Sequence, residues 1–351
     1  MGRVAKWFQE RIPVNGRQLR ELTNEPVPNH LKNWWFCLGG TPAYLFIVQI
    51  VTGILLAFYY QPATVAAYDS VYEITHNVSF GWYIRSLHKW AATLMIATVI
   101  LHQMRVYFTG AYRRPREINW LIGMCILICT LLTGFTGYSL VFEQLSFWGA
   151  TVAANISDAV PVVGNWAKQM LLAGQEYNEQ TLPRFYILHA AVLPATIVLL
   201  LIIHIAFIRL HGISEMSIEE SQEDEEGNGY FNFFPDHVMS ELIIGLGLMT
   251  ILSVLATVLP ATMGPRADAL VTPEVIKPEW FFYVSFRWLK LFSLTFAVLS
   301  SGLIVMTMFV WPWIDSALRR ITKIEDISVY IGIVATLTLI GLTVWEALVT
   351  H

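Results

Sequence analysis

Long apolar runs separated by short polar ones set the plan of this 351-residue chain. Seven runs, spans A to G, fall at about 33–60, 82–109, 118–142, 183–211, 237–259, 294–313 and 328–349, each long enough to cross ~30 Å of hydrocarbon. Helices satisfy their own backbone polar groups in lipid, so the pattern predicts an all-α polytopic membrane protein. Residues 3–12 read as a short interfacial helix ahead of span A. Composition agrees, with 55% hydrophobic and 14% charged residues and a mean hydropathy of +0.53.

Charge orients the spans. Arg3, Lys6, Arg11, Arg17, Arg20 and Lys32 precede span A; Arg113, Arg114 and Arg116 lie between B and C; Arg319, Arg320 and Lys323 lie between F and G. Alternating spans bring all of these to one side, which the positive-inside rule makes the cytoplasm. The N-terminus is then cytoplasmic (the n side), and the A–B, C–D and E–F loops face the positive (p) side. The N-terminal MGRVAKWFQERIPV lacks a signal-peptide hydrophobic region, so internal spans are expected to direct insertion. The net charge of −4 conceals an acidic run at 215–226 with seven acids and no base; without those seven charges the balance is +3. Basic residues sit in loops, as in a membrane protein, and point to no nucleic-acid partner.

Four histidines inside the apolar spans change the picture from architecture to chemistry. His88 and His102 are 14 residues apart in span B, and His189 and His204 are 15 apart in span D. At about 100° per residue both spacings leave the pair within roughly 60° of one face, about 21–23 Å apart along the axis. Ionisable residues in a membrane interior are costly. A lone one reads as a packed or proton-relay residue, but two matched pairs suit two stacked bis-histidine haems. Spans B and D run in the same direction, so His88 pairs with His189 near the p side and His102 with His204 near the n side. Gly39 and Gly53 in span A, and Gly123 and Gly137 in span C, repeat the 14-residue step. They are expected to let a flat ring approach the backbone, the plainer reading being small residues for helix packing. Cys37, Cys125 and Cys129 form no CxxC or CxxCH motif, which excludes a zinc site and an ordinary c-type haem attachment.

Several runs carry a family resemblance: FCLGG (36–40), FGWYIRSLHKW (80–90), LHQMRVYFTG (101–110), RRPREINW (113–120), GFTGYSL (134–140), AVPVVG (159–164), LPRFYILH (182–189) and PEWF (278–281). Over nearly its whole length the chain resembles the cytochrome b subunit of Rieske/cytochrome b complexes, specifically a cytochrome b6-like half fused to a subunit IV-like half. The 15-residue step from His189 to His204 resembles the b6 branch. The expected organisation is a haem-binding four-helix domain at 1–214, an acidic linker at 215–230 and a three-helix domain at 231–351. The chain departs from the plastid and cyanobacterial pattern in uniting both halves. It also reads Phe281 where the Pro-Glu-Trp-Tyr motif has tyrosine, and Val141-Phe142-Glu143-Gln144 after GYSL. These departures point away from plastoquinol and towards menaquinol in a non-oxygenic bacterium.

The resemblance implies a translocating quinol:cytochrome c oxidoreductase in the bacterial inner (plasma) membrane. Quinol is oxidised on the p side. One electron passes to a Rieske iron–sulfur partner, and the other passes through two b haems to a quinone site on the n side. It implies a cytochrome c-type subunit or soluble acceptor, and a homodimer. Glu279 becomes the proton acceptor at the quinol site, where a carboxylate is needed to take the released proton; Tyr138 and Phe281 line that site. Arg85 and Arg105 are expected at haem propionates, their plainer role being snorkelling. Cys37 of CLGG is expected to make one thioether bond to an extra haem c, with Arg209 the basic residue at the adjoining quinone site. Cys125 and Cys129 read as packing. Two other classes fit part of the pattern: a diheme anchor of a dehydrogenase or hydrogenase, which needs neither PEWF nor the second half, and a proton-coupled transporter, which binds no haem.

Overall fold

A computed structural model of the chain describes residues 26–28, 38–211, 214 and 230–349. The expected helix at 3–12, the basic residues before span A, Cys37 and the acidic run at 215–226 lie outside the described residues. The helices are α1 (Gly40–Ala57), α2 (Ala67–His76), α3 (Gly81–Phe108), α4 (Glu117–Ser139), α5 (Gln144–Asp158) and α6 (Gly164–Leu172). They continue with α7 (Thr181–His211), α8 (Val238–Val258), α9 (Tyr283–Leu291), α10 (Leu294–Phe309), α11 (Trp311–Thr322) and α12 (Ile327–Leu348). A two-stranded antiparallel ribbon, which the hydrophobic pattern did not signal, joins β1 (Pro26–Pro28) to β2 (Tyr230–Asn232).

Six of these helices are long and apolar enough to cross a membrane: α1, α3, α4, α7, α8 extended back to Phe234, and α12. Their bounds lie within a few residues of spans B, C, D, E and G. Span F differs. The straight run expected over 294–313 ends at Phe309, and α11 leaves α10 at 75°. Pro312 sits in the first turn of α11, where its missing N–H costs nothing. Sixteen residues of α10 reach only about 24 Å.

α1 packs against α3, α7 against α4, and α8 against α3. Leu45 and Phe46 of α1, Leu87, Ala91, Met95 and Val99 of α3, Ile197 of α7, and Leu252 and Ala256 of α8 form one buried cluster. Buried hydroxyls do not break this apolar interior. Thr52, Thr98, Thr130 and Thr136 each donate to the carbonyl four residues earlier. Leu199, Ile202, Leu246, Leu303 and Val334 face outward, as lipid requires.

Polar contacts concentrate at the two ends. At one end Asp315 of α11 is fully buried between Arg113 (3.1 Å) and Arg319 (3.2 Å), joining the α3–α4 turn to the C-terminal helices. The Trp120 indole donates to Met308 O at 2.7 Å beside it. At the other end the segment after α8 is stitched to the α4–α5 link. Gln144 N donates to Pro265 O (2.8 Å), and Gly264 N donates to the Glu143 carboxylate (2.6 Å). Glu143 also caps α5 reciprocally with Ser146.

Candidate haem and quinol sites

Each of the four histidines is backed by a glycine from the neighbouring helix. A Cβ added at Gly39 would stand 3.3 Å from His102 Cε1, and one at Gly53 would stand 3.3 Å from His88 Cε1. One at Gly123 would meet His204 Cε1 at 3.7 Å, and one at Gly137 would meet His189 Cε1 at 2.5 Å. The shared period has a simple origin. α1 runs antiparallel to α3, so fourteen residues up one helix match fourteen down the other. An added Cβ at each of these positions would reach the imidazole ring. Gly134 has different neighbours: a Cβ there would lie 3.0 Å from Ile96 Cδ1 and 3.3 Å from the Phe281 ring.

The 15-residue step in α7 is reconciled by a π-turn at Leu188–Val192, which contains His189. The wider turn absorbs one residue, so His189 and His204 keep the relation that fourteen residues give in α3. Single π-turns of this kind mark functional positions in long helices.

The hydrogen bonds of the imidazoles set which ring nitrogen is available. Thr52 gives its own proton to Val48 O at 2.6 Å, so its oxygen, 2.8 Å from His88 Nδ1, accepts from that nitrogen. His189 Nδ1 lies 3.0 Å from Thr133 O, which can only accept. Both rings therefore carry their proton on Nδ1 and keep the Nε2 lone pair for a metal, the arrangement that orients metal-binding histidines. The two rings face each other with centroids 6.1 Å apart and planes at 76°. One metal ion between the Nε2 atoms, with bonds of about 2 Å and ring centres about 1 Å further on, asks for a separation of about 6 Å. The residues fit a bis-histidine haem.

His102 and His204 are near enough to interact electrostatically. Nδ1 of each is buried and makes no hydrogen bond among the described residues, although the Asn119 carbonyl stands beside His204. Among the described residues no group of three or more His, Cys, Asp or Glu could hold a metal ion. A haem needs only two protein ligands, because the porphyrin nitrogens supply the rest.

Glu279 is half-buried and precedes a single 3₁₀ turn, Trp280–Phe282, that leads into α9. Phe281 packs on Gly134 of α4, and Phe282 meets Phe135 edge-on at 6.3 Å. Tyr138 packs against Gly149 of α5 and lies in electrostatic reach of both Glu143 and Glu279. Glu279, Phe281 and Tyr138 thus converge at one end of the molecule. Gly134 and Gly137, one turn apart on α4, put this cluster next to His189.

Arg85 donates to Ala261 O (2.8 Å), Thr262 O (3.0 Å) and Thr75 Oγ1 (3.3 Å), tying α3 to the segment after α8. Arg105 is buried in the last turn of α3, and Arg209 lies in the last turn of α7. Cys125 and Cys129 are free thiols within α4, Cys129 packed against the main buried cluster. Sequence reading passed over Thr52, the Thr133 carbonyl and Glu346. None lies in a motif, and their roles follow only from which helices become neighbours.

A family model described as cytochrome b/b6/petB matches residues 22–212, and one described as cytochrome b (C-terminal)/b6/petD matches residues 266–350. Cytochrome b6 of Heliomicrobium gestii is 47% identical over 210 residues, covering 60% of this chain and 99% of that protein. Cytochrome b6 of Synechococcus elongatus is 40% identical over 214 residues, covering 61% and 99%. A solved structure titled "Hyperthermophilic respiratory Complex III" superposes with a TM-score of 0.84 at 24% identity, covering 99% of this chain and 92% of that one, and so shares the fold. The chain therefore belongs to the cytochrome b/b6 family of electron-transfer membrane subunits, with its b6-like and subunit IV-like parts fused in one polypeptide.

Proposed function

We propose that this chain is the haem b subunit of a quinol:cytochrome c oxidoreductase, with one haem between His88 and His189 and a second between His102 and His204. The opposed rings of His88 and His189 carry the reading: they stand 6.1 Å apart with Nδ1 committed to Thr52 and Thr133. When bound, the haems supply one-electron transfer along the helix axis, while the polypeptide supplies ligands and orientation. Four helices, α1, α3, α4 and α7, surround them. Counting the bent pair α10–α11 as one span gives the seven-span plan, with α8, α10 and α12 alongside.

The Glu279 end faces the p side and the Asp315 end the cytoplasm of a bacterial plasma membrane, following the loop charges. Quinol oxidation releases two protons and two electrons. The Glu279 carboxylate takes one proton from a quinol hydroxyl and passes it to p-side water, and the second proton leaves to the p side with the electron given to the Rieske partner. Tyr138 and Phe281 hold the quinol ring. One electron would leave to a Rieske iron–sulfur partner and on to a cytochrome c-type acceptor; the other would go to the haem that His88 and His189 would hold, whose one-electron chemistry would link this site to quinone on the n side. Arg85 keeps N–H donors beyond its three contacts, and these with Arg105 suit haem propionates. Cys37, in the CLGG motif, would hold a haem c by one thioether, and Arg209 would serve the n-side quinone site. Menaquinol is the substrate and the complex is a homodimer. The matched C-terminal part favours this reading over a diheme anchor.

The test is quinol-dependent reduction of a cytochrome c by the purified complex with a naphthoquinol as donor. Turnover together with a b-type α-band supports the proposal. A complex with b haems and no turnover with any quinol would overturn it.

A further inference from the structure

The residues that precede the four glycines differ between the two histidine pairs. Thr52-Gly53 of α1 lies against His88 and Thr136-Gly137 of α4 against His189, whereas Leu38-Gly39 lies against His102 and Ile122-Gly123 against His204. A threonine thus stands before the glycine only where His88 and His189 meet. The two threonines are not equivalent. Thr52 is buried, and its hydroxyl proton is committed to Val48 O at 2.6 Å, so its oxygen accepts from His88 Nδ1 at 2.8 Å. Thr136 donates to Leu132 O at 2.9 Å and its oxygen stands 3.5 Å from His189 Nδ1, which Thr133 O serves more closely at 3.0 Å. His88 is therefore held by a side-chain acceptor and His189 by a backbone one. Gln49, one turn before Thr52, donates to His88 O at 2.7 Å, so α1 grips residue 88 at its ring and at its backbone.

We infer that Thr52 is a positioning residue that, acting through His88, lowers the reduction potential of the haem proposed between His88 and His189. The inference rests on that proposed ligation. An acceptor on Nδ1–H draws the proton outward and makes Nε2 a stronger electron donor. A stronger donor favours ferric over ferrous iron, and hydrogen bonding around the ligands is one of the levers by which a protein sets a haem potential. Leu38 and Ile122 offer no such acceptor to the other pair, where His204 has only the Asn119 carbonyl beside it. The effect of Thr52 is therefore confined to one of the two haems.

The test is a mediated redox titration of the b-type band in the purified, haem-loaded complex, with the component of the His88/His189 pair identified as the one that His189→Ala removes. Thr52→Val keeps the side-chain shape and removes the acceptor. It shifts the ferric/ferrous equilibrium of that component about three- to tenfold towards ferrous, which at about 59 mV per tenfold for one electron is a rise of about 30–60 mV. The other component stays at its parent potential. Thr52→Ser, which keeps the hydroxyl, restores the parent value. Thr136→Val leaves both components in place, because His189 keeps the Thr133 carbonyl. Thr52→Ala decides the question if Thr52→Val fails to assemble. A component that stays put, moves to lower potential or disappears in both Thr52→Val and Thr52→Ala overturns the inference, as does an equal shift of both components. A His189→Ala complex that retains both b components contradicts the haem pairing itself.

Discussion

The imidazoles of His88 and His189 meet with ring centroids 6.1 Å apart, although α3 and α7 are far apart in the chain. Neither ring is free to turn. Each is fixed through Nδ1 by a hydroxyl or carbonyl from the adjacent helix and pressed from behind by a glycine of that helix. The polypeptide thus sets the separation and tilt of the two rings before any metal is considered.

Gly137 and Gly123 should respond differently to the same methyl group. At Gly137 the added Cβ meets His189 Cε1 at 2.5 Å; at Gly123 the corresponding contact is an ordinary 3.7 Å. Gly137→Ala should push His189 out of line, cost about 1–3 kcal/mol as overpacking, and lower occupancy of the His88/His189 haem. Gly123→Ala should retain both b-type signals. Reduced-minus-oxidised spectra of the two variants check the contrast.

The apolar runs, the histidine and glycine periods and the PEWF segment were all legible in the residues, because helix periodicity converts spacing directly into facing. The rest depended on neighbours. A regular helix turns His189 and His204 about 60° apart over fifteen residues, and only the π-turn at Leu188–Val192 corrects this. Pro312 was visible within span F, yet the 75° turn also brings Asp315 to Arg113, a partner from a distant loop. Arg85 was read for a propionate, and nothing in the residues signalled its three contacts on Thr75, Ala261 and Thr262. Glu346 stands in no motif, and its two cations come from α9, far from it in the chain.

Glu279→Gln should slow quinol oxidation, since an amide cannot take the proton and a lost general base typically costs ~10²–10⁴-fold. Water at a half-buried position softens the loss towards the lower figure. Both b haems should remain reducible by dithionite. Steady-state quinol:cytochrome c turnover measures the effect, and parent-like turnover would contradict the assignment.

Asp315→Ala should destabilise the chain by about 1–3 kcal/mol, because it removes the buried carboxylate that Arg113 and Arg319 share, while both guanidinium groups stay partly exposed and Arg319 keeps Glu325. The loss should appear as a lower thermal transition of the purified complex. The His88/His189 signal, at the opposite end, should persist below that transition.

Cys37→Ala tests the covalent haem. A thioether survives boiling in detergent, whereas a histidine-ligated haem does not. The denatured parent chain should therefore stain for haem peroxidase activity and exceed its apo mass by one haem, and the variant should do neither. An unstained parent band from haem-loaded complex would contradict the thioether.

Selective loss of one haem tests the central claim most directly. Purified parent, His189→Ala and His204→Ala complexes are compared by dithionite-reduced spectra and by redox titration of the b-type band. The account predicts two b components in the parent, loss of one component in His189→Ala, and loss of the other in His204→Ala. Equal loss of both components from either change, in stably assembled complexes, would contradict the pairing of His88 with His189 and of His102 with His204.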